Sequence, residues 1–375
     1  MEYYFKTEQM NVGYQGKSLI RDIEIGIHKG EILTLIGPNG AGKSTILKSI
    51  ARQLKLIHGV VYLDKRELNH MSDLELSQKM AVVFTEKIKT ELMTCEDVVS
   101  TGRYPYTGHF GILSRKDHVI MEEAMELVHV TEIRNQDFTT ISDGQRQRVM
   151  LARAICQEPE IIILDEPTSF LDVKYKLEFL SVLQELRIRK GLTVIMSIHE
   201  LELAERVSDR ILCINGAYVD RFGKPEEIFH TGYIKSLFGI EIGSFDEENG
   251  SMELEPKREN ADIFVIAGGG SGRRIYRKLQ RERKAFMTGI IYENDLDYPV
   301  ARALSAELIA MKAFEPVDRF TLDQAKKAID SCKKVICCRK EFGSLETANK
   351  ELLEYARRNG KETEIMELEK ERIFS

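Results

Sequence analysis

The sequence predicts an α/β protein made of two successive domains, on the strength of three observations. Short aliphatic runs of strand length recur between helical patterns: ILTLI at 32–36, IIIL at 161–164 and TVIMSI at 193–198. A glycine loop from Gly37 to Ser44 stands between the first of these runs and a helical pattern. After a charged stretch ending at Asn260, the alternation of strand and helix starts afresh. The expected boundaries are 1–245 for a first domain, 246–260 for a linker and 261–375 for a second domain.

A chain of 375 residues is longer than one ordinary core organises. With 43% hydrophobic and 30% charged residues it has the composition of a soluble globular protein. Its formal net charge of −6 gives no global attraction for nucleic acid. The opening MEYYFKTEQMNVGY has no basic segment followed by an apolar run, so no signal peptide is expected. No apolar run approaches the ~20 residues of a membrane helix, so a membrane role must pass through a partner. The six cysteines show no C-x-x-C spacing, and Cys337 and Cys338 sit in a strand-like run. Buried thiols in a reducing cytoplasm are expected, not a zinc site.

Taken in order, residues 3–27 alternate as strands do, with a turn at Gly13 to Gly16. Tyr14 lies on that turn, where its ring either stacks on a base or packs at a hairpin tip. The strand ILTLI then feeds a match to G-x-x-x-x-G-K-[ST] at Gly37 to Ser44. Glycines let successive N–H groups turn inward, and a helix N-terminus adds its positive end, so polyphosphate meets fixed donors. The pattern predicts a helix opening at Lys43, with Lys43 on the β- and γ-phosphates and the Ser44 hydroxyl on Mg²⁺. Strands follow at VVYLD and at MAVVF, Met80 to Phe84. From Lys87 to Thr140 the pattern is mostly helical, broken by GRYPYTG at 102–108, which is expected to be a loop. ISDGQ at 141–145 runs into a further helix.

The strand IIIL ends on two carboxylates, Asp165 and Glu166. That pairing suits a magnesium-side ligand beside a group that orients or deprotonates water. His199 ends the next strand, at the edge where ligands collect in parallel α/β sheets.

These pieces, in this order, resemble the nucleotide-binding subunit of ATP-binding cassette (ABC) transporters, over about residues 1–242. The resemblance rests on GPNGAGKST at 37–45, ISDGQ at 141–145, IIILDEP at 161–167, SFLD at 169–172 and His199. It implies an ABC-type ATPase domain, a mixed sheet with a helical subdomain, that binds ATP and Mg²⁺. By that resemblance Tyr14 stacks on adenine. Asn39, Gly40, Gly42, Lys43, Ser44 and Thr45 hold phosphate, and Ser44 and Asp165 serve the metal. Glu166 is the catalytic base and His199 the γ-phosphate switch. Ser142, Gly144 and Gln145 close over the ATP of the opposite subunit, and Asp172 communicates across the dimer.

The family pairs two such domains around two ATPs; with one motif set here, the partner is expected to be a second copy. Transmembrane permease subunits and, indirectly, an extracytoplasmic substrate-binding protein complete the implied assembly at the cytoplasmic face of the cell membrane. Two positions depart from the family pattern. Asp143 replaces the second glycine of the signature and is expected to cap the helix and point away. Thr85 stands where a glutamine reaches the metal, which bears on coupling. GRYPYTG and the stretch from Ser197 to Phe229 resemble importers of iron–siderophore, haem and cobalamin complexes. The alternatives are a permease-independent ABC ATPase, argued against by the acidic charge and single cassette, and a regulatory nucleotide switch, argued against by Glu166 and His199.

Past the linker the pattern restarts with DIFVIA, Gly268-Gly269-Gly270-Ser271-Gly272, a basic helix RRIYRKLQRERK and FMTGIIY. Further helices and strands alternate to the end, giving a smaller, Rossmann-like α/β domain, possibly regulatory. Arg273 stands at the third glycine of a dinucleotide pattern, and no lysine–serine pair follows. The glycine turn, helix N-terminus and arginines either hold a small anionic ligand or form a tight β–α turn beside a solvated basic face.

Overall fold

The computed structural model describes residues 2–84, 92–108, 111–230, 232–246 and 250–366. The chain divides into two compact units at Phe238/Gly239. In the first, an eleven-stranded sheet runs in the order 66–67, 58–63, 5–14, 17–23, 218–223, 210–215, 32–36, 193–197, 161–165 and 80–83, with 26–27 paired to 5–14. The inner strands Arg210–Asn215, Ile32–Ile36, Thr193–Ser197, Ile161–Asp165 and Met80–Val83 pair in parallel, and strands Phe5–Tyr14, Lys17–Ile23 and His58–Leu63 form an antiparallel wing. Strands 32–36, 161–165 and 193–197 are buried at every residue, which is why they read as continuous aliphatic runs and not as alternation.

A helical region lies between the strands Met80–Val83 and Ile161–Asp165, with helices Cys95–Ser100, Arg115–Leu127 and Asp143–Cys156. The segment expected as a loop at 102–108 is instead largely a 3-10 helix, Thr101–Tyr106. Pro105 bars a continuing α-helix, while the tighter turn tolerates it. Arg103 fixes the segment from inside. It is 3% exposed and donates to Asp117 Oδ1 at 2.8 Å, the Cys156 carbonyl at 2.7 Å and Glu158 at 3.1 Å. The Ser114 hydroxyl and N–H hold the Asp117 carboxyl down to about 2, with Arg103 adding to them against the pull of burial.

The second unit is a five-stranded parallel sheet in the order 307–311, 286–292, 263–266, 334–337, 362–365, a doubly wound arrangement. Phe264 and Ile266 face helices Arg319–Ser331 and Thr347–Arg358 on one side. Val265 and Ala267 face helices Arg273–Arg281 and Tyr298–Leu304 on the other. Part of the stretch expected as a linker, 246–260, pairs as strand, and 254–260 has no regular element. Strands Ser244–Asp246 and Ser251–Glu253 pair antiparallel, and Glu253 Oε1 accepts from Arg277 Nε at 3.0 Å. Glu253 finds its partner in this unit, while Glu255, Lys257, Arg258 and Glu259 are exposed, as the linker reading expects. All six cysteines are free and buried. Among the described residues no helix is long and apolar enough to cross a membrane.

Candidate functional site

The strand Ile32–Ile36 ends at Gly37, whose φ of 149° is a glycine conformation; a Cβ there would lie 2.4 Å from the Ile214 carbonyl oxygen. The loop closes at Gly42, φ 95°, which stands at the N-cap of helix Lys43–Ile50 and offers no side-chain cap. The first-turn N–H groups of this helix therefore remain available to an anion. Lys43, 5% exposed, folds back across the loop and donates to the Gly37 carbonyl at 2.8 Å and the Pro38 carbonyl at 3.1 Å. Burial lowers its ammonium below the usual value, opposed by Glu166 and Asp165. Asn39 and Gly40 are exposed on the loop, Ser44 is half-buried and Thr45 is buried. The Tyr14 hydroxyl lies 3.2 Å from Thr45 Oγ1, while the residue is 52% exposed. Tyr14 is thus tethered to the phosphate loop by its hydroxyl and stays open to solvent.

Across the sheet, Asp165 ends a wholly buried strand and is itself 6% exposed. Glu166 follows with φ 49°, a costly backbone for a side chain with a Cβ and a mark of a constrained site. Its Oε1 meets His199 Nε2 at 2.5 Å. One residue that sequence reasoning missed joins these groups. Ser197, fully buried, donates to Asp165 Oδ1 at 2.7 Å and accepts from the Glu166 N–H at 2.9 Å. Its one hydroxyl fixes both carboxylate residues. Ser197 and Asp165 are partners in adjacent parallel strands, a pairing that a single chain of letters does not display.

The signature stretch corrects one expectation. Ser142, not Asp143, caps helix Asp143–Cys156: its hydroxyl accepts from the Gln145 N–H at 3.2 Å, and Gln145 Oε1 returns a bond to the Ser142 N–H at 3.0 Å. Asp143 is the first helical residue and pairs with Arg146 at 2.6 Å, one turn on. A Cβ on Gly144 would lie 3.2 Å from the Phe170 carbonyl oxygen, so this glycine lets the signature helix approach the 169–172 loop. Asp172 caps helix Val173–Lys190 by accepting from the Tyr175 N–H at 3.0 Å. The structure brings Lys43, Asp165, Glu166 and His199 into one neighbourhood and Tyr14 to Thr45. No hydrogen bond among the described residues joins Ser142, Gly144, Gln145 or Asp172 to the phosphate loop. Thr85 lies outside the described residues.

The second glycine loop is built differently. The buried Asp297 carboxylate accepts from the N–H groups of Gly268 at 3.1 Å, Gly272 at 2.9 Å and Arg273 at 3.1 Å. Asp295 accepts from the Gly269 N–H at 2.7 Å. Those donors, at the start of a helix, were the proposed anion holders, and the chain's own carboxylates already use them. A Cβ on Gly272 would lie 2.6 Å from the Tyr276 ring, so this glycine serves close packing. Of the two readings, the tight β–α turn is the one the geometry supports.

The ABC transporter family matches residues 20–169, and the MJ0874 family matches residues 286–374. An uncharacterized ABC transporter ATP-binding protein of Methanocaldococcus jannaschii is 41% identical over 285 residues, 76% of this chain and 98% of that one. The iron(3+)-hydroxamate import ATP-binding protein of Bacillus subtilis is 37% identical over 235 residues, 63% of this chain and 87% of that one. Among solved structures, the dimeric ATP-binding cassette MJ0796 in a post-hydrolysis state with ADP and Pi superposes with a TM-score of 0.52 at 28% identity, over 59% of this chain and 98% of that one. The chain belongs to the ATP-binding, ATP-hydrolysing subunits of ABC transporters.

Proposed function

We propose that this chain powers import of a metal chelate, of the iron–siderophore, haem or cobalamin kind, through transmembrane permease subunits. It works at the cytoplasmic face of the membrane, with an extracytoplasmic binding protein as an indirect partner. The Bacillus subtilis relative, an iron(3+)-hydroxamate import ATP-binding protein, supports the substrate class. ATP enters against the open Gly37–Thr45 loop, with the Tyr14 ring toward the base and Lys43 exchanging its two carbonyl partners for phosphate oxygens. Ser142, Gly144, Gln145 and Asp172 act on the nucleotide of a second copy. In support, Ser142 with Gln145 and Asp172 cap their own helices, and none of the four makes a hydrogen bond to its own phosphate loop among the described residues.

Mg²⁺ takes hard oxygen ligands and keeps several waters, so one or two protein oxygens beside the phosphates suffice. The residues fit. Ser197 fixes one Asp165 oxygen and leaves the other without a protein partner among the described residues, as is the Ser44 hydroxyl. No group of three or more His, Cys, Asp or Glu forms a metal cage among the described residues. When bound, the ion neutralises phosphate charge and polarises the phosphoryl group. Glu166 takes the proton of the attacking water or orients it, and His199 holds the Glu166 carboxylate in place at 2.5 Å.

The observation that carries the reading is the meeting of Glu166 and His199 at the strand ends beside the buried, basic Lys43. The test is ATP hydrolysis by Glu166→Gln. The expected result is a fall of about 10²–10⁴-fold with ATP still bound and a dimer trapped. Hydrolysis at the wild-type rate would contradict it.

A further inference from the structure

The helix of the second unit that follows the plugged glycine loop carries a charge pattern the ATPase cycle does not use. Residues 273–284 hold seven arginines and lysines and one acid, in a chain whose net charge is −6. The helix Arg273–Arg281 buries Ile275, Tyr276 and Leu279 against the sheet, so its rotation is fixed. Arg274, Lys278 and Arg281 fall at i, i+4 and i+7 and share the opposite, exposed face. Arg283 extends that basic run just past the helix end.

Three of the seven cations are already engaged. Arg273 donates to the Leu296 carbonyl at 2.6 Å, Arg277 binds Glu253 and Lys284 pairs with Glu282 at 2.7 Å. Arg274, Lys278, Arg281 and Arg283 make no hydrogen bond or ion pair among the described residues. Three of these cations are held side by side on the helix and the fourth lies just past its end. Glu282, already bonded to Lys284, is the one acid among them, so they repel one another and an anionic surface relieves that repulsion.

We infer that this face docks on the anionic headgroups of the membrane that carries the permease. The choice of lipid over nucleic acid rests on the proposed transporter role and on one independent feature. Single-stranded nucleic acid is gripped by exposed aromatic rings as well as by cations. Here Tyr276 is fully buried, its hydroxyl on Thr288 Oγ1 at 2.9 Å, and its ring is stacked on the buried Phe286. Each cation near an anionic leaflet is worth about fivefold in partition, so four together reach several hundredfold. The attraction is confined to roughly a Debye length, about 10 Å at 0.1 M salt, and weakens as salt rises.

The test is sedimentation of the purified full chain with vesicles of phosphatidylcholine, with and without phosphatidylglycerol, at low and high salt. The expected result is binding to the anionic vesicles alone, lost at high salt. A variant combining Arg274→Gln, Lys278→Gln, Arg281→Gln and Arg283→Gln should lose binding by on the order of several hundredfold. Its melting temperature and ATP hydrolysis should match wild type. No sedimentation with anionic vesicles, or equal binding by the variant, overturns the inference. So does tighter binding to single-stranded RNA than to vesicles. Vesicles contain no permease and hydrolysis is read separately, so a failure here leaves the transporter reading standing, and a failure of hydrolysis leaves this one standing.

Discussion

The chain contains two glycine loops between a buried parallel strand and a helix, and they end in opposite states. At Gly37–Lys43 the helix N-terminus has no side-chain cap and a lysine folds over the loop. At Gly268–Gly272 the equivalent donors are spent on Asp297 and Asp295. A glycine loop at a helix start is therefore only half of an anion site. The other half is the absence of an internal carboxylate and the presence of a cation. In the first loop the nearest carboxylates, Asp165 and Glu166, belong to neighbouring strand ends and face Lys43. In the second the carboxylate enters the loop itself.

Asp297→Ala should give the largest effect on this contrast. Three N–H groups lose their acceptor, which costs about 3 kcal/mol in the second unit as read by urea unfolding, while ATP hydrolysis stays near wild type. An unchanged second unit would mean that the carboxylate is not the plug.

The next effect is one of pH, and it differs between the units. Asp117, held at about 2, has a folded value below its unfolded one. Its contribution is present above the ordinary carboxylate range and is lost as pH falls toward about 2. Burial instead raises Asp297, against the pull of the N–H bonds from Gly272, Arg273 and Gly268. Its contribution is complete below the unfolded value and is lost as pH rises through the folded one. Followed down the acid limb, Asp117→Asn should start less stable than wild type and lose less. Parallel acid limbs would contradict the assignment.

The smallest effect sharpens the first loop's side of the comparison. Ser197→Ala removes one hydroxyl that serves Asp165 and Glu166 together, and should lower kcat about tenfold with ATP affinity nearly kept, since a hydrogen bond to a charged group is worth about 1.5–3 kcal/mol and water replaces part of it. Ser197→Thr should restore most of the rate. A matching loss in ATP affinity would make Ser197 a part of the binding site and not a positioning residue.

The legible parts of this molecule are those whose cause is local. Aliphatic runs announced the buried strands, and the spacing of Gly37, Gly42, Lys43 and Ser44 announced the loop, because backbone geometry and side-chain type act within a few residues. The cap at Ser142 was also within reach: S-x-x-Q at 142–145 is a capping box, and Asp143 drew attention only because aspartate caps well in general. The pairing of strands 244–246 and 251–253 stayed hidden because Glu253, which reads as solvent-facing, is held by Arg277, 24 positions away. Ser197 and Asp297 lay beyond reach for the same reason. Their partners are 31 or 32 and 24 to 29 residues distant, and only strand pairing and helix packing bring them together.

The most direct measurement of the difference between the loops is calorimetric titration of the full chain with a non-hydrolysable ATP analogue, beside Lys43→Ala and Arg273→Ala. One nucleotide per chain is expected, abolished by Lys43→Ala and untouched by Arg273→Ala. Two nucleotides per chain, or binding that survives Lys43→Ala and disappears with Arg273→Ala, would contradict it.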